Sequence, residues 1–585
     1  MRILDSRRLT GPNLHTGGPA AILEVAFAPD EPQGPAIAAW RTAITAALHA
    51  LGWPCDLHVR LHDDGHGQRG ADLVFTAPVD ALYLATEIND WAAAHAISDG
   101  EPDLTAMLPI WRAAAAVEQR PDAAALRAAA AARDLPVLSD DDELSIGHGR
   151  RAITWPIAQL PSPEAVPSVP SVPSVPWDSL GAVPIALITG TNGKTTTARL
   201  LARIARVAGH TPGNTSTDGM SVDERPIEAG DWTGPGAART VLRHPAVDLA
   251  VLEVARGGIL RRGLGVERCD VAAILNVSAD HLGEYGIHDL TAMTRVKAVV
   301  GSVVAPHGRV VLGADSPPLV DMVAAGHSFP APVVWFSLAA ENPTVVQHLA
   351  AGGEAWFVSA DDHLVRGRGT VHGIIHDRLC AVAELPFCFA GAARHNVANA
   401  LAAAALAAGL GLPDAAIVAG LRSFGASADD NPGRAELAEL GGVRVLLDFA
   451  HNPDGIHSLR GLLAQLRGPG RLLVSIGVPG DRDDAAIHAV ARAVYDLGPE
   501  RVLVRDLDHY LRGRAPGEVP TLLRDALIAL GLPPDAIATV EGEVMALRHG
   551  LAWARPGDLL VILPHVDRDE VQSELRAITD AARPA

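Results

Sequence analysis

From residue 183 onward, short apolar runs alternate with segments of helical pattern. The runs "VPIALITG", "DLAVLEVA" and "VAAILNVS" are almost continuously apolar, as expected of parallel strands that are covered on both faces. Between them, "TTTARLLARIARVAG" follows a helical period and stops at a glycine. A second series begins near Gly433 with "VRVLLDFAHNP", "RLLVSIGV" and "DLLVILP". The pattern predicts a multidomain α/β protein.

A proline-rich stretch separates these two series from the N-terminal part of the chain. It reads "PSPEAVPSVPSVPSVPW", and a proline at every third position blocks helix and favours an extended tether. A binding site for a proline-recognising partner is the alternative. Before it, strand-like "AILEVAFAP" and helix-like "AIAAWRTAITAALHALG" predict an α+β domain. The predicted domains are 1–160, a linker at 161–182, 183–432 and 433–585.

The composition narrows the classes of function. Acidic residues outnumber basic ones, 68 to 48, and the formal net charge of −20 argues against a general nucleic-acid binder. Four cysteines without a CxxC pair predict buried thiols rather than a zinc knuckle or a disulfide scaffold. The sequence shows neither a signal-peptide pattern nor an apolar run long enough to span a membrane, so we expect a soluble cytoplasmic protein.

The most specific motif, "TGTNGKTT", lies where the first apolar run meets the first helix. Gly190 and Gly193 let the backbone turn so that several amides face one point, and the following helix adds positive potential. Lys194 supplies a charge for the β- and γ-phosphates, and Thr195 supplies a hydroxyl for Mg²⁺. The motif predicts an ATP or GTP site, although Ile188 stands where the commoner loop has its first glycine.

Polar side chains follow two further predicted strands. Glu253 ends "VLEV", and Asn276, Asp280 and His281 follow the next strand in "NVSADHLG". In parallel sheets, ligands gather at the carboxyl ends of the strands. We therefore expect Glu253 and His281 to lie as metal ligands beside "TGTNGKTT", residues 189–196, which is called the phosphate loop below.

These residues, together with "GAARHNVANALAA", "NPGRAEL" and "DFAHNP", make the chain from residue 183 to its end resemble the Mur ligase family. The stretches "STDGMSVDERPIEAGDWTGPGAARTVL" and "VLEVARGGILRRGLGVERCDV" are similar to the Mur-type portion of cyanophycin synthetase. The N-terminal domain resembles that of the same enzymes through "RLTGPNL" and "LSIGHGRRAI". The resemblance implies a central P-loop α/β domain followed by a Rossmann-like C-terminal α/β domain.

The resemblance also implies a chemistry, that of an ATP-dependent, ADP-forming amide ligase. A carboxylate attacks the γ-phosphate, and an amine then attacks the resulting acyl phosphate. This reaction would join an amino acid, arginine or another basic one, to a carboxylate of an acidic peptide, polymer or diacid. ATP and Mg²⁺ are the implied cofactors. We expect no nucleic-acid or membrane partner, and a homo-oligomer by analogy.

Roles for individual residues follow from the same resemblance. The nucleotide is expected to contact Gly190, Thr191, Asn192, Gly193, Lys194, Thr195, Thr196, Asn276, Asn396, Asn399, Arg434 and Asp448. The metal ligands are expected to be Thr195, Glu253 and His281, and the catalytic residues Lys194, Glu253, His281 and Lys297. Lys297 is either carbamylated and metal-binding or a simple helix cation.

The predicted substrate contacts are Arg256, Arg261, His451, Asn452, Arg512, Arg514 and Glu518. Arg256 and Arg261 are expected on the acceptor carboxylate, because guanidinium groups bind carboxylates through two parallel hydrogen bonds. The other two arginines would hold the carboxylate of the incoming amino acid, and Glu518 its cationic group. A solvated surface is the alternative for the arginine-rich loop.

The sequence departs from the family pattern at several places. Cyanophycin synthetase carries an ATP-grasp domain where this chain has the Ser-Val-Pro tether, so we expect no backbone-extending activity. Glu87 lacks the histidines of an H-x-x-E-H motif, so no metallohydrolase is expected. His58, His62 and His66 are predicted in a solvated loop, with a metal site as the alternative. Gly313 stands in "GADSPP" where the family has asparagine.

A function of a different class stays open at this point. The chain could be a non-catalytic ATP-binding scaffold, or a polymer-binding partner of a separate ATP-grasp enzyme. That function predicts nucleotide binding without turnover.

Overall fold

The computed structural model describes residues 1–64, 67, 69–97, 103–162 and 175–582. Residues 163–174, which form most of the predicted tether, and His66 lie outside this part of the chain. The chain divides into two compact units. One comprises Met1–Trp356, Arg366–His376 and Ala402–Gly420, and the other Phe357–Val365, Asp377–Leu401 and Leu421–Ala585. The first unit contains the N-terminal residues together with most of the predicted central domain.

The N-terminal residues form an antiparallel sheet covered by helices. Its strands have the order β1-β2-β4-β3, and a small sheet of order β5-β6-β7 follows. The core between the first sheet and its helices contains Trp40, Phe75, Ile88 and Trp111. The elements are β1 (Arg2–Leu9), β2 (Ala20–Phe27), α1 (Gln33–Leu51), β3 (Leu57–Asp63), β4 (Arg69–Thr76), α2 (Leu82–Ile97), α3 (Leu104–Glu118), α4 (Pro121–Ala131), β5 (Val137–Ser139), β6 (Glu143–Ile146) and β7 (Ile153–Pro156).

The second series of elements builds an eleven-stranded sheet. Its order is β11-β10-β9-β12-β8-β13-β14-β15-β16-β17-β18. The elements are β8 (Ile185–Thr189), α5 (Lys194–Val207), β9 (Pro212–Ser216), β10 (Gly219–Val222), β11 (Arg225–Ala229), α6 (Pro235–Arg243), β12 (Leu249–Glu253), α7 (Arg256–Arg262), β13 (Cys269–Ile274), α8 (Leu290–Ser302), β14 (Val304–Gly313), α9 (Pro317–Ala324), β15 (Val333–Ser337), α10 (Pro343–Ala350), β16 (Glu354–Val358), β17 (His363–Thr370), β18 (Gly373–Ala381), α11 (Arg394–Gly409) and α12 (Asp414–Ser423).

The centre of this sheet brings the predicted motifs together. Strand β8 lies between β12 and β13, and all three run parallel. Ile188 pairs with Glu253, and Thr189 pairs with Ile274, so the three strands end at the same edge. From β8 the chain crosses to β9 on one side, whereas from β12 it crosses to β13 on the other side, and such a point opens a crevice for a ligand.

The C-terminal elements form a six-stranded sheet of order β19-β20-β24-β21-β22-β23, parallel except for β19. The elements are β19 (Glu436–Leu440), β20 (Val443–Leu447), α13 (Pro453–Ser458), α14 (Arg460–Arg467), β21 (Leu472–Gly477), α15 (Asp484–Tyr495), β22 (Arg501–Arg505), α16 (Glu518–Ala529), β23 (Ile537–Thr539), α17 (Glu543–Trp553), β24 (Leu559–Ile562) and α18 (Arg568–Ala582). The predicted multidomain α/β class is confirmed, because apolar runs of both series are buried parallel strands.

Two smaller predictions need correction. His58 and His62 lie within strand β3, not in a solvated loop, and the side chain of His62 is buried. The cysteines are all free, but Cys55 is exposed whereas the other three are buried. Among the described residues, no helix combines the length and apolar composition needed to cross a membrane.

Candidate functional site

The loop between β8 and α5 has a backbone that requires glycine. Gly193 adopts φ 89°, a left-handed conformation that side chains disfavour. A Cβ on Gly190 would lie 3.0 Å from Cβ of Leu275 and 3.3 Å from the carbonyl oxygen of Asn192. The turn directs the chain into α5, whose N-terminus carries the positive end of the helix dipole. Backbone and dipole together suit an anion.

The chain has 48 Lys and Arg residues, of which two are lysines, and both lysines contact this loop. Nζ of Lys194 donates to the carbonyl oxygens of Gly190 (3.2 Å) and Thr191 (3.0 Å). Nζ of Lys297, on α8, donates to the same Gly190 oxygen at 2.9 Å. Burial, followed by the neighbouring charge of Lys194, lowers the pKa of Lys297 to about 7. The two amines concentrate positive potential where a phosphate would enter.

Thr195, the second residue of α5, contacts the end of strand β12. Its hydroxyl donates to Oε2 of Glu253 at 2.9 Å and lies 3.0 Å from the hydroxyl of Thr217. The amide of Thr217 donates to the same carboxylate oxygen at 3.3 Å. Glu253 is buried, so a carboxylate and two hydroxyls meet in a site shielded from water.

This donor set suits Mg²⁺, which prefers oxygen ligands and takes the rest of its shell from water and phosphate. The part of the chain that the structure describes contains no group of three or more His, Cys, Asp and Glu arranged around a metal. Thr195 and Glu253 therefore fit the predicted metal role as a minimal oxygen pair. The place of His281 as a third ligand stays a prediction.

Asn276, just beyond β13, holds the phosphate loop in shape. Its Oδ1 accepts hydrogen bonds from the amides of Thr191 (3.1 Å) and Asn192 (2.9 Å), and its Nδ2 donates to the carbonyl of Asn192 at 3.0 Å. Three bonds from one side chain make Asn276 a support of the loop, and its predicted contact with the nucleotide stays a prediction. Ser278 continues the support, because its amide donates to the hydroxyl of Thr191 at 3.0 Å.

The segment after β13 carries His281, which has φ 55°. Nη1 of Arg256 donates to the carbonyl of His281 at 2.8 Å, and Nη2 pairs with Glu284. The hydrogen bond from His281, and then the charge of Arg256, hold the pKa of Glu284 at about 2 against the effect of burial. Arg256 thus contacts groups of the protein itself, and its predicted role in binding the acceptor stays a prediction. Arg261 donates from Nε to the hydroxyl of Tyr285 at 3.0 Å.

In the second unit, the two asparagines of "HNVAN" face the same way, as their spacing predicts. Nδ2 of Asn399 donates to Oδ1 of Asn396 at 3.3 Å, and Nδ2 of Asn396 donates to the carbonyl of Phe387 at 2.8 Å. Both are buried in the fold. Their predicted contact with the nucleotide stays a prediction.

The strand end at "DFAHNP" is organised by Asp448. Its carboxylate accepts hydrogen bonds from the amides of Ala435 (2.7 Å) and Ala450 (2.8 Å), which ties "PGRA" to the end of β20. The guanidinium of Arg434 lies 4.1 Å from the ring centroid of Phe449. Asp448 therefore helps to position Arg434, and the predicted contacts of both residues with the nucleotide stay predictions.

His451 and Asn452 follow that strand end. Nδ1 of His451 lies 3.0 Å from the carbonyl of Phe449. Oδ1 of Asn452 accepts the amide of Gly455 at 2.9 Å and caps α13. Asn452 thus has a local structural role, and its position directly before a proline is typical of a residue that caps a helix.

The arginine-rich loop of the second unit is held by internal ion pairs. Arg514 contacts Glu518 (2.7 Å) and Asp484 (2.8 Å), and Arg512 contacts Asp481. In this structure Arg514 and Glu518 bind each other rather than a substrate carboxylate and a substrate cation. Their substrate roles stay predictions.

Gly313 has a packing reason. A Cβ there would lie 2.2 Å from the carbonyl oxygen of Leu275, so the backbone admits no asparagine. Sequence reasoning also missed Thr217, which lies in a quoted motif, and Glu284, which directly follows "NVSADHLG". The scarcity of lysine was a further sequence signal for Lys297. The chain has two lysines, and both contact the same loop.

Comparison with known proteins agrees with this geometry. Residues 188–407 match the Mur ligase middle domain, and residues 433–566 match the Mur ligase, glutamate ligase domain. Cyanophycin synthetase of Crocosphaera subtropica is 40% identical over 394 residues, covering 66% of this chain and 43% of that enzyme. Cyanophycin synthetase of Synechocystis sp. is 38% identical over 387 residues, covering 65% and 42%.

A more distant relative is the UDP-N-acetylmuramoylalanine–D-glutamate ligase of Nitrosococcus oceani, 31% identical over 327 residues, which cover 54% of this chain and 60% of that enzyme. The chain spans less than half the length of the two cyanophycin synthetases. The two Mur ligase domains together account for more than half of the chain. By its middle and C-terminal domains, this chain belongs to the Mur ligase family.

Proposed function

We propose that the chain is an ATP-dependent, ADP-forming ligase that joins the amino group of an amino acid to a carboxylate of an acidic acceptor. The observation that carries this proposal is the contact of Thr195 with Glu253 beside Lys194, at the N-terminus of α5. This contact supports the proposal, because two oxygen groups suited to Mg²⁺ lie next to a loop suited to phosphates. Family membership adds the reaction class.

In the proposed reaction, ATP is a substrate, and the residues of this chain position it. Lys194 would move from the carbonyls of its own loop to the β- and γ-phosphates, and the amides of α5 would face the same oxygens. Thr195 and Glu253 would hold Mg²⁺, which neutralises phosphate charge. The acceptor carboxylate attacks the γ-phosphorus and ADP leaves. The amine then attacks the acyl phosphate, and phosphate leaves with formation of the amide.

The substrates are proposed from the relatives. Cyanophycin synthetases align with this chain through the Mur-type portion, so we infer an acceptor rich in carboxylates and a basic amino acid, arginine first. The tether at 161–182 joins the N-terminal and middle domains directly, in support of a chain that decorates an acidic acceptor and does not extend its backbone. We also propose a cytoplasmic location and a homo-oligomer.

The test is phosphate release from ATP and Mg²⁺ by the purified full chain. The proteinogenic amino acids are screened against aspartate-containing peptides, cyanophycin-like polymer and free diacids. An active pair must raise phosphate release and yield a product with the mass of the amide. Lys194→Ala should abolish both signals while leaving the fold intact.

Silence across this panel, with ATP binding retained, would contradict the ligase and support the non-catalytic scaffold. Lys297→Arg is a useful companion to Lys194→Ala, because it puts a permanent cation of a different shape behind the loop. Loss of ATP binding in Lys194→Ala alone would locate the nucleotide at this loop.

A further inference from the structure

The N-terminal sheet has a row of charged side chains across all four strands. Asp5 on β1 pairs in register with Glu24 on β2, Glu24 with Asp72 on β4, and Asp72 with Arg60 on β3. Arg7 donates to Asp5 (2.6 Å) and to Glu24 (3.1 Å). Asp72 is 1% exposed and Glu24 7%, so this charged face is covered. Buried charges need partners, and the groups that pair with these charges indicate the function of this face.

The cover is the segment that follows His281 in the middle domain. Nη1 of Arg60 donates to the carbonyl of Gly286 at 3.0 Å, and Nη2 donates to the carbonyl of Tyr285 at 3.1 Å. The guanidinium of Arg7 lies 4.6 Å from the ring centroid of Tyr285. A Cβ on Gly286 would come 2.6 Å from the ring of His62, so the two surfaces pack closely.

The covering segment has an unusual backbone. His281 and Tyr285 have φ of 55° and 54°, and Gly283 and Gly286 have φ of 93° and 62°. A left-handed conformation is unfavourable for a residue other than glycine. Residues 281–286, called the His281 loop below, therefore keep this shape only because neighbouring groups hold it.

Three arginines supply that hold. Arg256 bonds the carbonyl of His281 and pairs with Glu284, and Arg261 bonds the hydroxyl of Tyr285. Arg60 bonds two successive carbonyls at the other end of the loop. Two of the three arginines belong to α7 of the middle domain, whereas Arg60 comes from a strand of the N-terminal sheet.

Arg60 is itself fixed. Its Nε donates to Oδ2 of Asp72 at 2.8 Å. Burial opposes ionisation of Asp72, but the hydrogen bond from His62 and the charge of Arg60 lower the pKa of this carboxyl below its ordinary value. The ionised carboxylate orients the planar guanidinium so that its remaining donors point at the loop.

We propose that Arg60 is a positioning residue for the ligase centre, through which the N-terminal domain holds the His281 loop in its strained shape. This inference rests on the proposed function, because only a ligase gives the orientation of His281 a catalytic consequence. The N-terminal domain then has a task besides any binding of the acceptor, namely to complete the middle domain.

The domain has a second, independent attachment. The amide of Thr10 donates to the carbonyl of Arg262 at 2.7 Å, and the amide of Leu264 donates to the carbonyl of Pro12 at 2.7 Å. Removing the side chain of Arg60 therefore leaves the N-terminal domain attached to the middle domain. The effect of such a variant should be confined to the His281 loop.

The first test is hydrogen exchange of the full-length protein without nucleotide or Mg²⁺, read by mass spectrometry. In Arg60→Ala, amides of the His281 loop should exchange about tenfold faster or more, because two charge-assisted hydrogen bonds are lost. Arg60→Lys keeps the charge beside Asp72 without the planar fork, and it should give a smaller increase. It also protects the test if Arg60→Ala folds poorly.

The matched control is Arg69→Ala. Arg69 lies on neighbouring strand β4 and likewise bonds backbone carbonyls, those of Ala28, Pro29 and Glu31, all within the N-terminal domain. This variant should leave exchange in the His281 loop unchanged. Equal acceleration in both variants would overturn the inference, as would unchanged exchange in Arg60→Ala.

The second test uses the substrate pair identified for the ligase. Arg60→Ala should raise the Mg²⁺ concentration for half-maximal rate about tenfold, with KM for ATP changed less than about twofold, because the phosphate loop is untouched. Faster exchange in a protein that no substrate pair activates would support the hold on the loop and refute the ligase. Turnover with unaltered exchange and Mg²⁺ requirement in Arg60→Ala would refute the role of Arg60 and leave the ligase standing.

Discussion

The buried amine of Lys297 should titrate near neutral pH. A fall in pKa from 10.5 to about 7 is about 3.5 units, which makes the charged form about 5 kcal/mol less favourable in the native protein than in the unfolded chain. The causes are burial first and then the positive charge of Lys194, opposed by Asp280. The perturbation is pH, and the quantity to measure is the protonation of one side chain.

The sign of the effect on stability follows from proton binding. Below about pH 7, Lys297 is protonated in both the native and the unfolded state, so it adds no pH dependence. Between about pH 7 and pH 10.5 the unfolded state binds the additional proton, so the free energy of unfolding should rise by about 1.4 kcal/mol per pH unit. Lys297→Met should lack this rise, because it has no titrating group there.

The assay is unusually direct, because the chain has two lysines. Selective ¹³C labelling at the ε-carbon of lysine gives two side-chain signals, which Lys194→Arg assigns. Urea unfolding of the wild type and Lys297→Met, followed by fluorescence and circular dichroism with coincident transitions, measures the linked stability. A Lys297 signal without an inflection near pH 7, or parallel stability curves for the two proteins, would refute the reasoning.

The same labelled protein separates the two roles of Lys297. A neutral amine at mildly alkaline pH can react with CO₂, so ¹³C-bicarbonate should add a carbamate carbonyl signal that Lys297→Met lacks. Its absence in the wild type, with the amine signal retained, would establish the free amine.

Two further predictions concern a buried ion pair of the second unit and the phosphate loop. Glu543→Gln should destabilise the second unit by about 3–5 kcal/mol, because Arg505, which is fully buried and 3.0 Å from Glu543, loses its counter-charge. The control is Glu574→Gln, which removes a charge from an exposed ion pair. Urea unfolding that fails to distinguish the two variants would contradict the argument. Asn276→Ala should weaken ATP binding about tenfold or more, because the phosphate loop loses three hydrogen bonds, and calorimetric titration showing an unchanged Kd would be the contrary result.

Local patterns carried a large part of the candidate site. The apolar runs predicted the buried parallel strands, and "TGTNGKTT" predicted the strand, turn and helix that surround Gly193. Glu253 could be placed beside Thr195 because strand ends meet at one edge of a parallel sheet. Local patterns did not predict the ion pairs of Arg256 and Arg514 within the protein, because an arginine motif does not reveal which carboxylate or carbonyl the guanidinium meets. Their substrate contacts stay predictions.

What the sequence determined by itself is the class of the two series of elements and the strand, turn and helix around Gly193. These depend on interactions between residues close in the chain, namely the period of apolar side chains, glycine conformations and the start of a helix. The tertiary structure alone decided that Lys297 shares a carbonyl with Lys194, and that Arg60 holds a loop in another domain. The physical reason is that a buried charge takes whichever partner the packing of the sheets brings within hydrogen-bonding distance, and no local pattern records that partner.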